Sequence, residues 1–271
     1  MGADNPKNTT SEAKGWPGFV RAERYDDAVN RAFYRAAVAR LLEKAPQLSG
    51  RGLDLGCGTG FSLEELAVTA PDVEWIGADF SRRMLELARS KPELRTTLLC
   101  EARAEALPFA DKSFDVVVAN FSWHWFGPEA GHQVRRVLRP GGWFLATLPL
   151  RRFSAALGNR ALARALLANR GHFVRQSSQG FRFEDVPRVL PGELKVSRHE
   201  LVVARERFAD GGELLDVLSS RGALAAIFGD QPPTTVEVHS PVDFEWPFAV
   251  LHAQVFDKPR GPGELVTHGS T

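Results

Sequence analysis

The sequence predicts an α/β fold: a mostly parallel sheet of seven strands with helices on both faces. Three observations predict it. Short apolar strands alternate with helix-period patterns through the first half of the chain. A glycine-rich turn follows the first strand and opens a helix. The fourth strand carries the continuous run Val116-Val117-Val118, which suits a parallel strand buried on both faces.

The elements follow in order. Val29, Phe33, Ala36, Ala37 and Leu41 recur at helical spacing. Arg51 to Leu55 is the first strand, and Phe61 to Thr69 a helix with Leu63, Leu66 and Ala67 inward. Glu74 to Ala78 is the second strand. Ser81 caps a helix carrying Met84, Leu85, Leu87 and Ala88. Thr96 to Cys100 and Phe114 to Ala119 are the third and fourth strands. Gly131 to Leu138 is a helix stopped by Pro140, Gly141 and Gly142, before a fifth strand over Trp143 to Leu148. After Pro149 the rhythm changes. Phe153 to Asn169 reads as an amphipathic helix, and residues 151–197 as a helical cap inserted over the carboxyl edge of the sheet. Glu200 to Arg207 is a strand, Gly212 to Ser220 a helix, and Asp243 to Val255 a last strand broken by Pro247. Residues 16–257 are expected to form the domain, between a disordered polar tail (1–15) and a flexible Pro/Gly-containing tail (258–271).

Composition narrows the function classes. Hydrophobic residues at 44% and charged residues at 25% are ordinary for a globular protein, and 271 residues bury a large core without staples. A formal net charge of +1, with no basic tract, argues against nucleic acid or an anionic membrane as partner. Two cysteines make no disulfide framework, so a reducing compartment fits. There is no apolar signal core near Met1 and no run long enough to span a bilayer. The expectation is a cytoplasmic monomer or homodimer.

The segment Leu53-Asp54-Leu55-Gly56-Cys57-Gly58-Thr59-Gly60 carries the first chemical signal. Glycine lets a ligand approach the backbone where a Cβ would block it. A pyrophosphate site wants Gly-x-Gly-x-x-Gly after the strand. Here Gly56, Gly58 and Gly60 are spaced by two, and Asp54 stands at the strand end. A carboxylate there suits a cationic amino acid better than a pyrophosphate. The second signal is Asp79, ending the second strand in Gly77-Ala78-Asp79-Phe80-Ser81. An acid roughly 20 residues beyond the glycines can accept both hydroxyls of a ribose; its other role is helix capping. Among the histidines no metal-ligand spacing appears, so no metal is expected. Cys57 has no evident catalytic partner.

At these residues the sequence resembles the class I S-adenosylmethionine-dependent methyltransferases, which have a Rossmann-like fold. LDLGCGTGF, GADFS, AEALPFADKSFDVVVANFSWHW and LRPGGWFLATLP follow that family's order and spacing. The resemblance implies that Asp54, Gly56, Cys57, Gly58 and Gly60 surround the methionine part of S-adenosylmethionine. It further implies that Asp79 holds the ribose, that Phe80 and Met84 flank the adenine, and that Ala104 meets the adenine edge. Arg24-Tyr25-Asp26 and the late segments FADGGELLDVLSSRGALAAI and FEWPFAVLHAQV resemble the malonyl-carrier-protein O-methyltransferase branch of biotin synthesis. That places Tyr25 near the methionine carboxylate. One departure stands out: Arg103 occupies a position where the family usually has Asp, and arginine has no acceptor for the adenine amine. Glu101 or Glu105 is the candidate replacement. Without one, a hydrogen bond of roughly 0.5–1.5 kcal/mol is lost.

The acceptor side is read from Asn120-Phe121-Ser122-Trp123-His124-Trp125-Phe126. Asn120 belongs to the cofactor side, and Trp123, His124 and Trp125 to the acceptor pocket. His124 is the base candidate, with packing as its alternative role. Arg151 and Arg152 are candidates for an acidic substrate or a carrier phosphate. The expected activity is methyl transfer to a small-molecule or acyl-carrier-bound metabolite, at a carboxyl or hydroxyl oxygen, with S-adenosylhomocysteine as product. The alternative is a cofactor-binding or assembly protein that keeps the fold without methyl transfer.

Overall fold

Val116 and Val118 pack into one apolar cluster and Val117 and Ala119 into another, so the fourth strand is buried on both faces. The structure, a computed structural model, describes residues 22–150, 181–221 and 238–256. Its strands are β1 (Gly50–Leu55), β2 (Val73–Asp79), β3 (Leu98–Glu101), β4 (Phe114–Asn120), β5 (Leu138–Pro149), β6 (Leu194–Phe208) and β7 (Val242–Val255). They form one seven-stranded sheet in the order β3-β2-β1-β4-β5-β7-β6. The pairs among β1 to β5 are parallel, whereas β7 runs antiparallel to both β5 and β6.

The helices are α1 (Ala22–Tyr25), α2 (Ala28–Leu42), α3 (Phe61–Thr69), α4 (Arg82–Ser90), α5 (Glu129–Val137) and α6 (Gly211–Ser220). Ser81 caps α4 as expected, its hydroxyl accepting from Met84 N. The buried stripe of α2 is Asn30, Phe33, Tyr34, Ala37, Val38 and Leu41. Val29 and Ala36 are exposed, which rotates the inward face relative to the sequence periodicity. Ala67 of α3 is exposed too, whereas Leu63 and Leu66 are buried as expected. Among the described residues no helix is long and apolar enough to cross a membrane.

Two sequence expectations change. Pro247 does not break β7. Its carbonyl accepts from Leu150 N, just past the end of the β5 pairing. The nitrogen of a strand residue points to the same side as its carbonyl. The missing N–H therefore faces the end of β5, and the β6–β7 ladder continues through Val203 and Pro247. The second concerns residues 151–197. Residues 151–180, with the amphipathic Phe153 to Asn169, lie outside the described residues. Beyond them, Val186 and Leu190 are buried in the sheet's own core, and β6 already begins at Leu194.

The strand order reverses between β1 and β4. A parallel sheet opens a crevice there, at the carboxyl ends of its strands.

Candidate active site

A cleft of about 790 Å³ opens at that point. Gly56, Gly58, Asp79, Phe80, Met84, Arg103, Ala104, Glu105, Tyr25, Asn120 and Trp125 line it. Eleven of the residues singled out in the sequence thus meet in one place.

Part of the lining comes from β1 and the loop to α3. Gly56 N and Cys57 N both donate to the Ala78 carbonyl, at 2.7 and 3.1 Å, which ties the turn to β2. Gly58 N donates to Asp79 Oδ2 at 2.9 Å, and Ser81 N to Asp79 Oδ1 at 2.8 Å. Asp79 therefore holds the glycine loop and the start of α4 together, while the capping role falls to Ser81. Each Asp79 oxygen keeps a further lone pair for a hydroxyl donor. Gly58 has φ +55°, and a Cβ on it would meet only the Tyr25 ring, at 3.8 Å. Gly60 differs: its φ is +91°, and a Cβ there would overlap the Leu94 side chain. It serves packing under the loop and does not line the cleft. Cys57 is buried, and burial pushes its thiol well above the usual range. Such a thiol is no nucleophile at neutral pH.

Beneath the glycine loop lies Asp54, 1% exposed. Neither carboxylate oxygen has a hydrogen-bond partner. Burial, and secondarily the charge of Asp79, pushes its pKa up to about 8. A buried acid without donors is costly, and a ligand cation is one way to satisfy it.

Glu105 Oε1 accepts from Gly127 N at 2.7 Å, and Oε2 lies 3.6 Å from the Arg103 guanidinium. Glu101 turns to the surface, where it accepts from Arg82 at 3.0 Å. Of the two acids considered as replacements at the adenine edge, only Glu105 lines the cleft. Phe80 is 46% exposed, a large apolar ring open on one side, whereas Met84 is buried.

Asn120 ends β4 with its amide fully engaged. It donates to the Tyr34 carbonyl and to Ser62 Oγ, and accepts from Thr147 Oγ1. Its part in the cleft is to fix the β4 end. Trp123 goes to the core, its ring 4.8 Å from Phe144. His124 sits in the 3₁₀ turn Trp123–Trp125, with Nδ1 buried and without a partner. Burial lowers its pKa to about 3. Arg151 and Arg152 lie outside the described residues.

Phe121 and Phe126, among the aromatics of the acceptor segment that carry no individual role in the sequence reading, line the cleft, as does Ser122. Phe121 has φ +50°, rare for a bulky side chain. It is held there because its N–H donates to both the carbonyl and the hydroxyl of Thr147. No sequence pattern signals that geometry. Ser122 Oγ donates to the Leu55 carbonyl at 2.6 Å and braces the turn.

The chain is similar to known proteins over part of its length. Residues 53–146 match a family model described as a methyltransferase domain. The chain is 45% identical over 112 residues to a demethylmenaquinone methyltransferase of Thermus thermophilus, covering 40% of this chain and 50% of that protein. It is 35% identical over 153 residues to a malonyl-[acyl-carrier protein] O-methyltransferase of Alcanivorax borkumensis, covering 54% and 51%. The chain thus spans about half the length of the curated relatives it matches. In fold it is similar to a Bacillus halodurans protein of known structure, with TM-score 0.56, 19% identity, and coverage of 82% of this chain and 100% of that one. Residues 53–146 are thus similar to a methyltransferase domain, and the chain shares its fold with a protein of known structure.

Proposed function

We propose that this chain transfers the methyl group of S-adenosylmethionine to a small-molecule or carrier-bound metabolite, at a carboxylate oxygen. The observation that carries the cofactor half is Asp54, an unpartnered buried carboxylate under a glycine loop. The cofactor's amino acid brings an ammonium that satisfies it. In this reading the backbone at Gly56, Cys57 and Gly58 accommodates the methionine part, with Gly60 shaping the loop and Tyr25 near the carboxylate. Asp79 accepts the ribose hydroxyls. Phe80 and Met84 flank the adenine, and Arg103, Ala104 and Glu105 border its edge. Glu105 Oε2 is the acceptor that Arg103 cannot be.

The bound cofactor supplies an electrophilic methyl on a sulfonium, with a neutral thioether as leaving group. The protein's own task is to align the acceptor and exclude water, and alignment supplies roughly 7–11 kcal/mol of such a barrier. Phe121, Trp125 and Phe126 give the cleft aromatic walls. Arg151 and Arg152 are the candidates to meet an anionic substrate.

His124 selects among acceptors. A general base works best with a pKa near the working pH, and His124 at about 3 is far below it. A carboxylate acceptor carries no proton to remove, so it needs no base from His124. The malonyl-[acyl-carrier protein] O-methyltransferase relative supports an acid as acceptor. Incubation of carboxylic acids, acyl carriers and hydroxyarenes with methyl-labelled cofactor, read by mass spectrometry, tests the class directly. His124→Ala is expected to keep kcat within about tenfold, whereas loss of a working base costs about 10²–10⁴. A loss in that upper range would sink the carboxylate reading and make His124 the base.

A further inference from the structure

Tyr25 stands at the end of a short helix, and its ring reaches over Gly58. Its ring packs against Tyr34 and Phe61, and its carbonyl accepts from Asp27 N at 3.0 Å; a further tie comes from the other end of the chain. Asn30 is fully buried in the first turns of α2. Its Nδ2 donates to the Tyr25 carbonyl at 3.0 Å and to Ser220 Oγ at 3.0 Å. Its Oδ1 accepts from Arg221 Nε at 2.8 Å. Arg221, buried just past α6, pairs through both terminal nitrogens with the carboxylate of Glu206 on β6. The same guanidinium lies over the rings of Phe33 and Trp246, at 4.0 and 4.6 Å. Every polar atom of the Asn30 amide and every nitrogen of the Arg221 guanidinium therefore has a partner. The chain is unbroken from Glu206 through Arg221 and Asn30 to the backbone of Tyr25.

A buried arginine is expensive to place unless its charge and its donors are all met. Glu206 meets the charge and the two terminal nitrogens, and Asn30 Oδ1 meets the Nε. The further bond to Asn30 fixes which way the Asn30 amide faces, because its oxygen must meet the guanidinium. Its nitrogen then must face the Tyr25 carbonyl. The segment carrying Tyr25 is thereby set by residues 206–221, far outside the matched methyltransferase segment 53–146.

We propose that Asn30 and Arg221 are positioning residues that hold Tyr25 over the glycine loop and so set cofactor retention. The proposal rests on the placement of Tyr25 at the cofactor given above. Neither residue touches the cleft; both act through Tyr25.

The test is the affinity for S-adenosylhomocysteine, measured by calorimetry on the full chain. Asn30→Asp is the informative variant: it keeps an acceptor for Arg221 but has no N–H for the Tyr25 carbonyl. It also loses the bonds of Nδ2 to Ser220 Oγ and Asp27 Oδ2, and it is expected to weaken binding at least about 3–10-fold. Arg221→Lys, which keeps the charge and loses the fork, is expected to weaken it in the same direction. In a Tyr25→Ala background, Asn30→Asp should change the affinity less than about twofold, because the positioned ring is gone. An equal loss in both backgrounds would show a general effect on the fold and overturn the proposal, as would unchanged binding by Asn30→Asp alone. If Tyr25→Ala itself binds like the wild type, the placement of Tyr25 falls, and this inference with it. If the wild-type chain does not bind the probe at all, the cofactor reading is what fails.

Discussion

With a pKa near 8, the Asp54 carboxyl stays protonated in the free protein below that pH. Because the folded value is raised above the ordinary 3.8, the group's stability contribution is full below about pH 4. It is lost as pH rises from there to about 8. An ammonium arriving above Asp54 reverses the sign, favouring the charged form. Binding of S-adenosylhomocysteine below pH 8 is therefore expected to release a proton, with affinity rising between about pH 6 and 8. Calorimetry in buffers of different ionisation enthalpy reads that proton. Asp54→Asn should abolish the release and weaken binding. A proton count that is the same in wild type and variant would mean that Asp54 does not meet the ligand.

At the scale of elements, the glycine loop separates two reasons for glycine. Gly58→Ala meets a free volume and left-handed backbone, costing about 1–2 kcal/mol of strain. Gly60→Ala adds overlap with Leu94, and overpacking costs about 1–3 kcal/mol more. Gly58→Ala is expected to lose ligand affinity with a small fall in Tm, and Gly60→Ala to lose more stability. Thermal melts with and without S-adenosylhomocysteine separate the two, and a larger melting loss at Gly58 would contradict the assignment. The loop, β1 to β5 and their acids are legible in the sequence because glycine spacing and buried apolar runs are local. The α2 face is rotated from its apolar periodicity because Asn30 turns inward to Ser220 on α6 and the Tyr34 ring packs against Phe61 and Phe121. Phe121 is invisible for a related reason: its positive φ is imposed by Thr147 across the sheet. Trp123 reads as pocket wall from its neighbours, but the turn at β4 sends it to Phe144 instead. Pro247 reads as a breaker because its pairing side depends on where β5 ends.

Across the whole molecule, the cleft draws on β1, β2, β4 and the segment before α2, which are far apart in sequence. That segment is anchored twice. Asn30 and Arg221 hold it on the β6 side, and the buried Lys91 holds it on the other, 2.7 Å from Asp26 and 3.3 Å from Glu64. A ligand seated between these parts binds the folded chain and not the unfolded one. At about 100 times its Kd it adds roughly 2.7 kcal/mol of stability. For a chain of this size that raises Tm by about 5–10 °C. S-adenosylhomocysteine is expected to produce that shift. A reduced nicotinamide cofactor is expected to produce none, since the glycines are spaced by two and a buried acid lies under them. A shift with the nicotinamide and not with the sulfonium-derived ligand would reverse the cofactor assignment. The size of the shift also tests the double anchor. In Lys91→Met, where Asp26 and Glu64 lose their shared cation, the unliganded chain should melt well below wild type, as removal of one partner from a buried pair costs about 3–5 kcal/mol. Ligand should still raise its Tm if the glycine loop and Asp54 carry most of the binding.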